Sequence, residues 1–454
     1  MIFFFHRILI SFKDFKPSFL GELFDIIIHY NIQEMKYHLW KIGCQYNEWD
    51  AGRLCFLMQQ SGFEESGPED ADVIIILACS VRQTAVDRML GKINNWTRNK
   101  LKNPSTSLRV SLRTEERTNK TILITGCVLD SDKKKFGEKG LKFFETGDFE
   151  ALKKLLKNSG FRIKSGMTDN CIISRFPTKS GITGTINSKK LQANKLRSCA
   201  YVPIMSGCNN FCSYCVVPYT RGREKSWPME EIIKDVKIII NRKTPTPSGR
   251  SSDHSVGEIM LLGQNVNSYR IKNNESRIIN HGDTKTDNRS LITDNRDKSD
   301  FTILLEALNN LEGDFKISFV SSHPKDMSDD IIEAVSKLPK IKKEIHLPLQ
   351  SGSDKILKAM NRPYTVEQYL KLVEKLTTYD LRLTTDIIVG FPGETERDFQ
   401  KTVDLFKKVK FDKAYINKYS PRAGTAAYKL GDPIPWTEKQ RRWQIINDLI
   451  KCNT

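Results

Sequence analysis

Three cysteines constrain this chain more than any other feature: Cys208, Cys212 and Cys215, in the run Ser206-Gly-Cys208-Asn-Asn-Phe-Cys212-Ser-Tyr-Cys215. The C-x3-C-x2-C spacing supplies three thiolates close together and no fourth. A structural zinc site takes four protein ligands, usually as two short pairs. Three clustered thiolates suit instead a cubane iron–sulfur cluster with one iron left open to a small ligand. A zinc knuckle, or three unrelated thiols, is the bland alternative.

The pattern around these cysteines is α/β. In the first part of the chain, residues 36–42, 71–77 and 121–125 read as strands. The β-branched run Val73-Ile-Ile-Ile-Leu77 fits a parallel sheet buried on both faces. Residues 48–61 and 84–96 have helical spacing, so 35–165 is expected to form a small parallel-sheet domain. Residues 97–120 read as a polar, basic insertion and 166–195 as a linker. A second α/β region is expected over 196–436, with strands at 201–205, 258–262, 316–320, 344–348, 383–389 and 413–416. Helices at 229–240 and 366–377 lie between them. Six such units fit an open (β/α)6 partial barrel better than a closed eightfold one. Ligand residues then belong at the carboxyl ends of strands, where Cys208 follows the first. Residues 242–256 and 270–300 look like further disordered insertions, and 437–454 is a C-terminal amphipathic helix.

Ten cysteines invite a disulfide reading, but several end apolar runs, as ligands in a reducing compartment would. Seventy-two Lys and Arg against 54 Asp and Glu give a net charge of +18, which favours a polyanion such as RNA over a solvated basic surface only evenly. No run of about 18 apolar residues offers a membrane span. Residues 1–34 begin like a signal peptide, but His6 and Arg7 interrupt the apolar run. Met35 is the expected start, which makes 1–34 a non-native or unstructured extension.

Cys44, Cys79 and Cys127 form a second set, each expected one or two residues beyond a buried strand. Parallel strand ends share one edge of a sheet, so these thiols can converge on a second three-cysteine site. Three buried thiols acting as small hydrophobes are the alternative. Cys55, Cys171, Cys199 and Cys452 read as ordinary thiols.

These segments, together with Cys215-Val-Val-Pro-Tyr-Thr-Arg-Gly222, Leu262-Gly-Gln-Asn-Val-Asn267, Leu347-Pro-Leu-Gln-Ser-Gly-Ser-Asp354, Met360-Asn-Arg-Pro363 and Asp386-Ile-Ile-Val-Gly-Phe-Pro-Gly-Glu394, carry a resemblance. From Met35 onward, insertions apart, the chain resembles the radical S-adenosylmethionine (SAM) methylthiotransferases. It is most similar to the MiaB-type tRNA-2-methylthio-N6-dimethylallyladenosine synthases. The branches acting on threonylcarbamoyladenosine or on a ribosomal protein are the rivals, and a metal-stabilised RNA-binding protein is a non-enzymatic third reading. The chain departs from the pattern at Leu77-Ala-Cys79, where Asn-Thr-Cys is usual, and at Trp227, where Arg is usual. A C-terminal TRAM β-barrel is expected to be missing.

The resemblance implies that Cys208, Cys212 and Cys215 hold a 4Fe–4S cluster that binds SAM, and that Cys44, Cys79 and Cys127 hold a second 4Fe–4S cluster. One SAM methylates a sulfur on the second cluster. Another yields a 5′-deoxyadenosyl radical that takes hydrogen from C2 of adenine at position 37 of tRNA. An aromatic C–H offers no acidity to general-base catalysis, so radical chemistry answers a real need. Gly390, Gly393, Glu394, Gln264, Asn265, His323, Gln350, Ser351 and Arg362 are the expected cofactor pocket, with Arg362 pairing a carboxylate or phosphate. Arg221 and Arg223 are expected at RNA phosphate or on the surface. The implied partners are tRNA, a flavodoxin- or ferredoxin-like electron donor and a sulfur source. The implied state is a cytoplasmic monomer.

Overall fold

The computed structural model describes residues 35–81, 83–98, 120–161, 163, 199–241, 244–245, 251–252, 256–271 and 298–453. The 1–34 extension, the 166–195 linker, Cys171, and most of the expected insertions at 97–120, 242–256 and 270–300 lie outside them.

The N-terminal sheet is built from β1 (Met35–Lys41), β2 (Phe63–Glu65), β3 (Val73–Cys79), β4 (Thr121–Cys127) and β5 (Lys142–Phe143). All its pairings are parallel, in the order β2-β1-β3-β4-β5. The alternating residues of β3 explain why the run is apolar throughout. Val73, Ile75 and Leu77 face one core with Leu54, Leu57 and Met58 of helix α1 (Gln45–Gln60). Ile74, Ile76 and Ala78 face the other with Val86, Met89 and Ile93 of helix α2 (Gln83–Arg98). In such a sheet the strand order reverses between β1 and β3, and the crevice beyond those strand ends is the natural ligand site.

The strands differ from expectation at their ends. β3 and β4 each run two residues further, so Cys79 and Cys127 are the last residues of their strands rather than lying beyond them. The apolar stretch stops earlier because Thr125 and Gly126 carry little hydrophobic signal, while main-chain pairing continues. The short edge strands β2 and β5 have no apolar run to announce them.

Among the described residues the second region has six principal parallel strands: β6 (Cys199–Pro203), β11 (Glu258–Leu262), β12 (Lys316–Phe319), β13 (Glu344–His346), β14 (Arg382–Val389) and β15 (Lys413–Lys418). They form two three-stranded sheets, β6-β11-β12 and β13-β14-β15, stitched by a bridge between Ile317 and Ile341. The open barrel follows chain order. Met205–Ser206 (β7) leaves β6 to pair antiparallel with Lys225–Ser226 (β8). Thr244–Pro245 (β9) and Ser251–Ser252 (β10), within the expected 242–256 insertion, pair as a small antiparallel hairpin. Outer helices cover the sheets, with Val236, Leu304, Val335, Val373 and Phe406 in one continuous core. The last helix (Trp436–Asn453) packs Ile446 into the same core. No helix among the described residues is long and apolar enough to cross a membrane.

The two regions meet through aromatic packing. Tyr46 and Trp49 of α1 bury against Leu262, with Tyr201, Trp227 and Met260 around them. Trp227 is partly buried and extends this apolar seam. Burying each large apolar side chain contributes about 1.5–3 kcal/mol, so this cluster supplies much of the docking energy.

Candidate active site

The C-x3-C-x2-C loop leaves the end of β7 (Met205–Ser206) through Gly207, whose φ is +79°. A Cβ at Gly207 would lie 2.2 Å from the Arg223 carbonyl oxygen, so backbone crowds the position from outside. Gly207→Ala is expected to lose about 1–3 kcal/mol from backbone strain alone and to displace Cys208. Thermal unfolding and iron content after anaerobic reconstitution would check it, and native values for both would contradict it.

The segment after helix 354–359 clamps the loop from the other side. The Ser213 amide donates to the Met360 carbonyl at 2.9 Å, and the Ser213 hydroxyl donates to the Ala359 carbonyl at 2.8 Å. Asn361, at φ +57°, donates its side-chain amide to the Asn210 and Phe211 carbonyls at 3.2 and 2.9 Å. Arg362 is buried beside them. Its Nη1 lies 3.6 Å from Cys212 Sγ and 3.3 Å from the Tyr214 hydroxyl, and its Nη2 donates to the Pro348 carbonyl at 2.9 Å. Within the protein, then, Arg362 serves the cysteine loop rather than a carboxylate. That role has no sequence signal beyond the Met-Asn-Arg-Pro run itself.

The three thiols are within electrostatic reach of one another. Burial pushes Cys215 up to about 12, with Cys212 and Cys208 adding to the rise and Arg362 opposing it. A metal would have to displace these thiol protons on binding. The residues fit a cluster: three converging thiols, a guanidinium toward one sulfur, and a glycine cradle that admits no side chain. Among the described residues no three His, Cys, Asp or Glu side chains close on a single shared ion. In a cubane each thiolate binds a different iron, so such closeness is not required.

The expected pocket residues divide. Gln264 and Asn265 follow β11, His323 follows β12, and Gln350 and Ser351 follow β13. Gln264 Oε1, Asn265 Oδ1, His323 Nε2 and Gln350 Oε1 are buried with no partner among the described residues. Unpaired buried polar atoms at adjoining strand ends suit a polar ligand. Ser351 is buried and accepts the Ser353 amide at 3.3 Å. Ser321 and Gln350 hold φ of +70° and +72°, conformations a non-glycine residue rarely adopts, and both sit at these strand ends.

Glu394 is engaged within the protein. Its carboxylate accepts the Gly390 amide at 2.6 Å and pairs with Arg442 at 2.7 Å, both partners being buried. It braces the 390–394 turn against the last helix, while Gly390 and Gly393, with φ of +73° and +85°, shape the turn itself.

His323 carries a pH signature. Its Nδ1 accepts the Lys325 amide at 3.3 Å, which leaves the proton on Nε2 in the neutral ring. Burial, with Arg362 and Lys325 nearby, lowers its pKa to about 2. The unfolded chain, with a pKa near ~6.5, takes up a proton that the fold refuses, so this contribution to stability is full above that value and falls as pH drops below it. His323→Gln should therefore cut the loss of stability between pH ~7.5 and ~5.5 by about 1 kcal/mol. Urea unfolding at both pH values tests this, and an identical loss in the variant would refute it.

On the N-terminal sheet, Cys79 and Cys127 are directly paired in register, and Cys44 caps α1 just past β1, the strand beside β3. Burial pushes Cys127 up to about 12; Arg221 opposes the rise, and Cys79 and Cys44 add to it. All three thiols thus stand at the switch-point crevice. Cys55 instead packs against the apolar core under α1, and Cys199 opens β6.

Arg221 departs most from expectation. It is not a surface charge: its side chain is 10% exposed and pairs with Asp50 at 3.0 Å. Its Nε lies 2.9 Å from Cys127 Sγ, its Nη2 donates to Asn47 at 3.2 Å, and the guanidinium lies 4.0 Å over the Tyr46 ring. A second buried arginine, Arg422, pairs with Asp132 at 2.7 Å and donates to Gln83. Both arginines belong to the barrel region, and both grip the cysteine edge of the sheet domain. Arg223 is exposed, its guanidinium 4.2 Å over Phe211.

Comparison with known proteins adds the family. Residues 202–406 match the Radical SAM superfamily, and residues 36–143 match the Uncharacterized protein family UPF0004. Over 426 residues the chain is 33% identical to a tRNA-2-methylthio-N(6)-dimethylallyladenosine synthase of Thermotoga petrophila, covering 92% of this chain and 82% of that protein. Over 432 residues it is 36% identical to the enzyme of that name from Caldicellulosiruptor saccharolyticus, covering 93% and 79%. Among solved structures, the cobalamin-dependent SAM radical enzyme OxsB aligns with a TM-score of 0.50 at 12% identity, over 92% of this chain and 57% of that one. The radical SAM methyltransferase TsrM from Kitasatospora setae aligns with 0.51 at 10% identity, over 87% and 77%. At such identities these two likenesses speak for the fold alone. Sequence identity across both regions places the chain in the radical-SAM family of tRNA-2-methylthio-N6-dimethylallyladenosine synthases.

Proposed function

We propose that this chain is a radical-SAM transferase that adds a methylthio group to C2 of N6-dimethylallyladenosine at position 37 of tRNA. The observation that carries the reading is identity of 33–36% to synthases of that name over 92–93% of this chain. Cys208, Cys212 and Cys215 would hold a 4Fe–4S cluster and SAM, and Cys44, Cys79 and Cys127 a second cluster. When bound, these groups supply the one-electron chemistry and the sulfur that an unactivated aromatic C–H requires.

The chain's own residues do the positioning. The Ser213 and Asn361 clamps fix the cysteine loop, and Arg362 places positive charge beside Cys212. The unpaired groups of Gln264, Asn265, His323 and Gln350 offer hydrogen bonds to a polar ligand at the strand ends. An adenine inside a stacked anticodon loop hides its C2 edge, so the base must be extruded to reach such a site. The net charge of +18 suits a tRNA partner. A flavodoxin- or ferredoxin-like reductant, a sulfur source, a cytoplasmic setting and a monomeric state complete the reading.

Nucleoside mass spectrometry of tRNA from a methylthiotransferase-deficient bacterial host expressing this chain tests it. A methylthio-dimethylallyladenosine peak is expected. A methylthio-threonylcarbamoyladenosine peak in the same chromatogram, or no methylthio nucleoside at all, would overturn the substrate assignment.

A further inference from the structure

We propose that Arg221 is a positioning residue that couples the two cysteine sites, its Nε–H directed at the Cys127 sulfur so as to set the reduction potential of a cluster held there. The inference rests on the second-cluster reading above.

Arg221 ends the short helix Val217–Thr220 that follows Cys215, so its backbone moves with the first cysteine loop. Its side chain reaches across the domain seam to the second set. Nε lies 2.9 Å from Cys127 Sγ, while Nη2 engages Asn47 and Asp50. Asn47 in turn donates to the Ile42 and Ala78 carbonyls at 2.7 and 3.1 Å. Those two bonds tie the turn carrying Cys44 to the strand carrying Cys79. One guanidinium therefore registers all three cysteine-bearing segments against the barrel.

The chemistry requires arginine. Its planar fork aims Nε and Nη2 in fixed, separate directions, which the single ammonium of lysine cannot copy. Asp50 is 3% exposed, and a buried carboxylate left unpaired is too costly to keep, so the pair is strongly oriented. Hydrogen bonds to the sulfurs of an iron–sulfur cluster raise its potential, and burial makes each one count for more. Docking alone does not need this residue at the sulfur. The aromatic seam and the Arg422–Asp132 pair hold the domains together without touching a cysteine.

The test uses the full chain with Cys208, Cys212 and Cys215 all replaced by alanine, reconstituted anaerobically with iron and sulfide. Redox titration followed by electron paramagnetic resonance is compared for native Arg221, Arg221→Met and Arg221→Lys. Arg221→Met is expected to shift the midpoint to more negative potential and to change the g-values, with Arg221→Lys intermediate. If Arg221→Met fails to retain iron, the shift is read from Arg221→Lys, which keeps the charge but loses the Nε geometry. An unchanged midpoint in variants that hold iron would overturn the proposal. So would an equal shift from Arg422→Met, because that would trace the effect to docking. Failure of the background with native Arg221 to bind any iron would overturn the second-cluster reading itself, and this inference with it. In the otherwise native enzyme, Arg221→Lys should raise the ratio of 5′-deoxyadenosine formed to methylthio product.

Discussion

Replacing Cys212 with alanine is expected to bring SAM cleavage to the assay floor while leaving the fold in place. Cys212 sits at the centre of the C-x3-C-x2-C loop and faces Arg362 Nη1 at 3.6 Å. The contacts that hold the loop, from Ser213 and Asn361, use main-chain carbonyls and not the Cys212 sulfur. The side chain is only partly buried, so its truncation opens little cavity, and a stability change within about 1 kcal/mol is expected. Loss of one of three thiolates, by contrast, leaves too few ligands for a cubane with an open iron. Three measurements separate the effects: iron per chain, 5′-deoxyadenosine release under reducing conditions, and the thermal midpoint. Native deoxyadenosine release from the variant would remove this loop from the chemistry.

Cys79→Ala is expected to give the opposite split, with SAM cleavage retained and methylthiolation lost. Cys79 closes β3, and its main chain pairs with Cys127 whatever the side chain is. The sheet register and the domain seam therefore survive the substitution. The barrel loop is served by a different set of contacts, so cleavage of SAM continues without productive transfer. Deoxyadenosine should accumulate while methylthio nucleoside disappears from the tRNA. Full methylthiolation by Cys79→Ala would refute the assignment of a second cluster to Cys44, Cys79 and Cys127. The pairing of these two variants matters because each controls for gross unfolding in the other.

Much of this architecture is legible from local pattern. The helix Met229–Ile240 and the strand Glu258–Leu262 coincide with their sequence reading, because each carries a strong period and clear ends. The β-branched run of β3 announces a strand buried on both faces, since its alternating side chains enter two cores. The cysteine spacing singles out the loop after β7 as a candidate ligand loop from the sequence alone. Glu394 shows the limit: nothing near it in the sequence announces its pairing with a buried arginine of the last helix, 48 residues on.

Spacing and periodicity therefore decided the element types, the α/β class and the position of the cysteine-bearing segments, because these depend on residues near in the chain. Tertiary structure alone decided how the two cysteine-bearing regions are joined. Arg221 meets Asp50 across 171 positions, and Arg422 meets Asp132 across 290. In sequence these are four ordinary charges in a basic chain, for nothing in a 3.6- or 2-residue period marks a charge that will be buried against a distant partner. Their meaning arises only when folding removes water from both members of each pair at once, because an ion left alone there is too costly to keep.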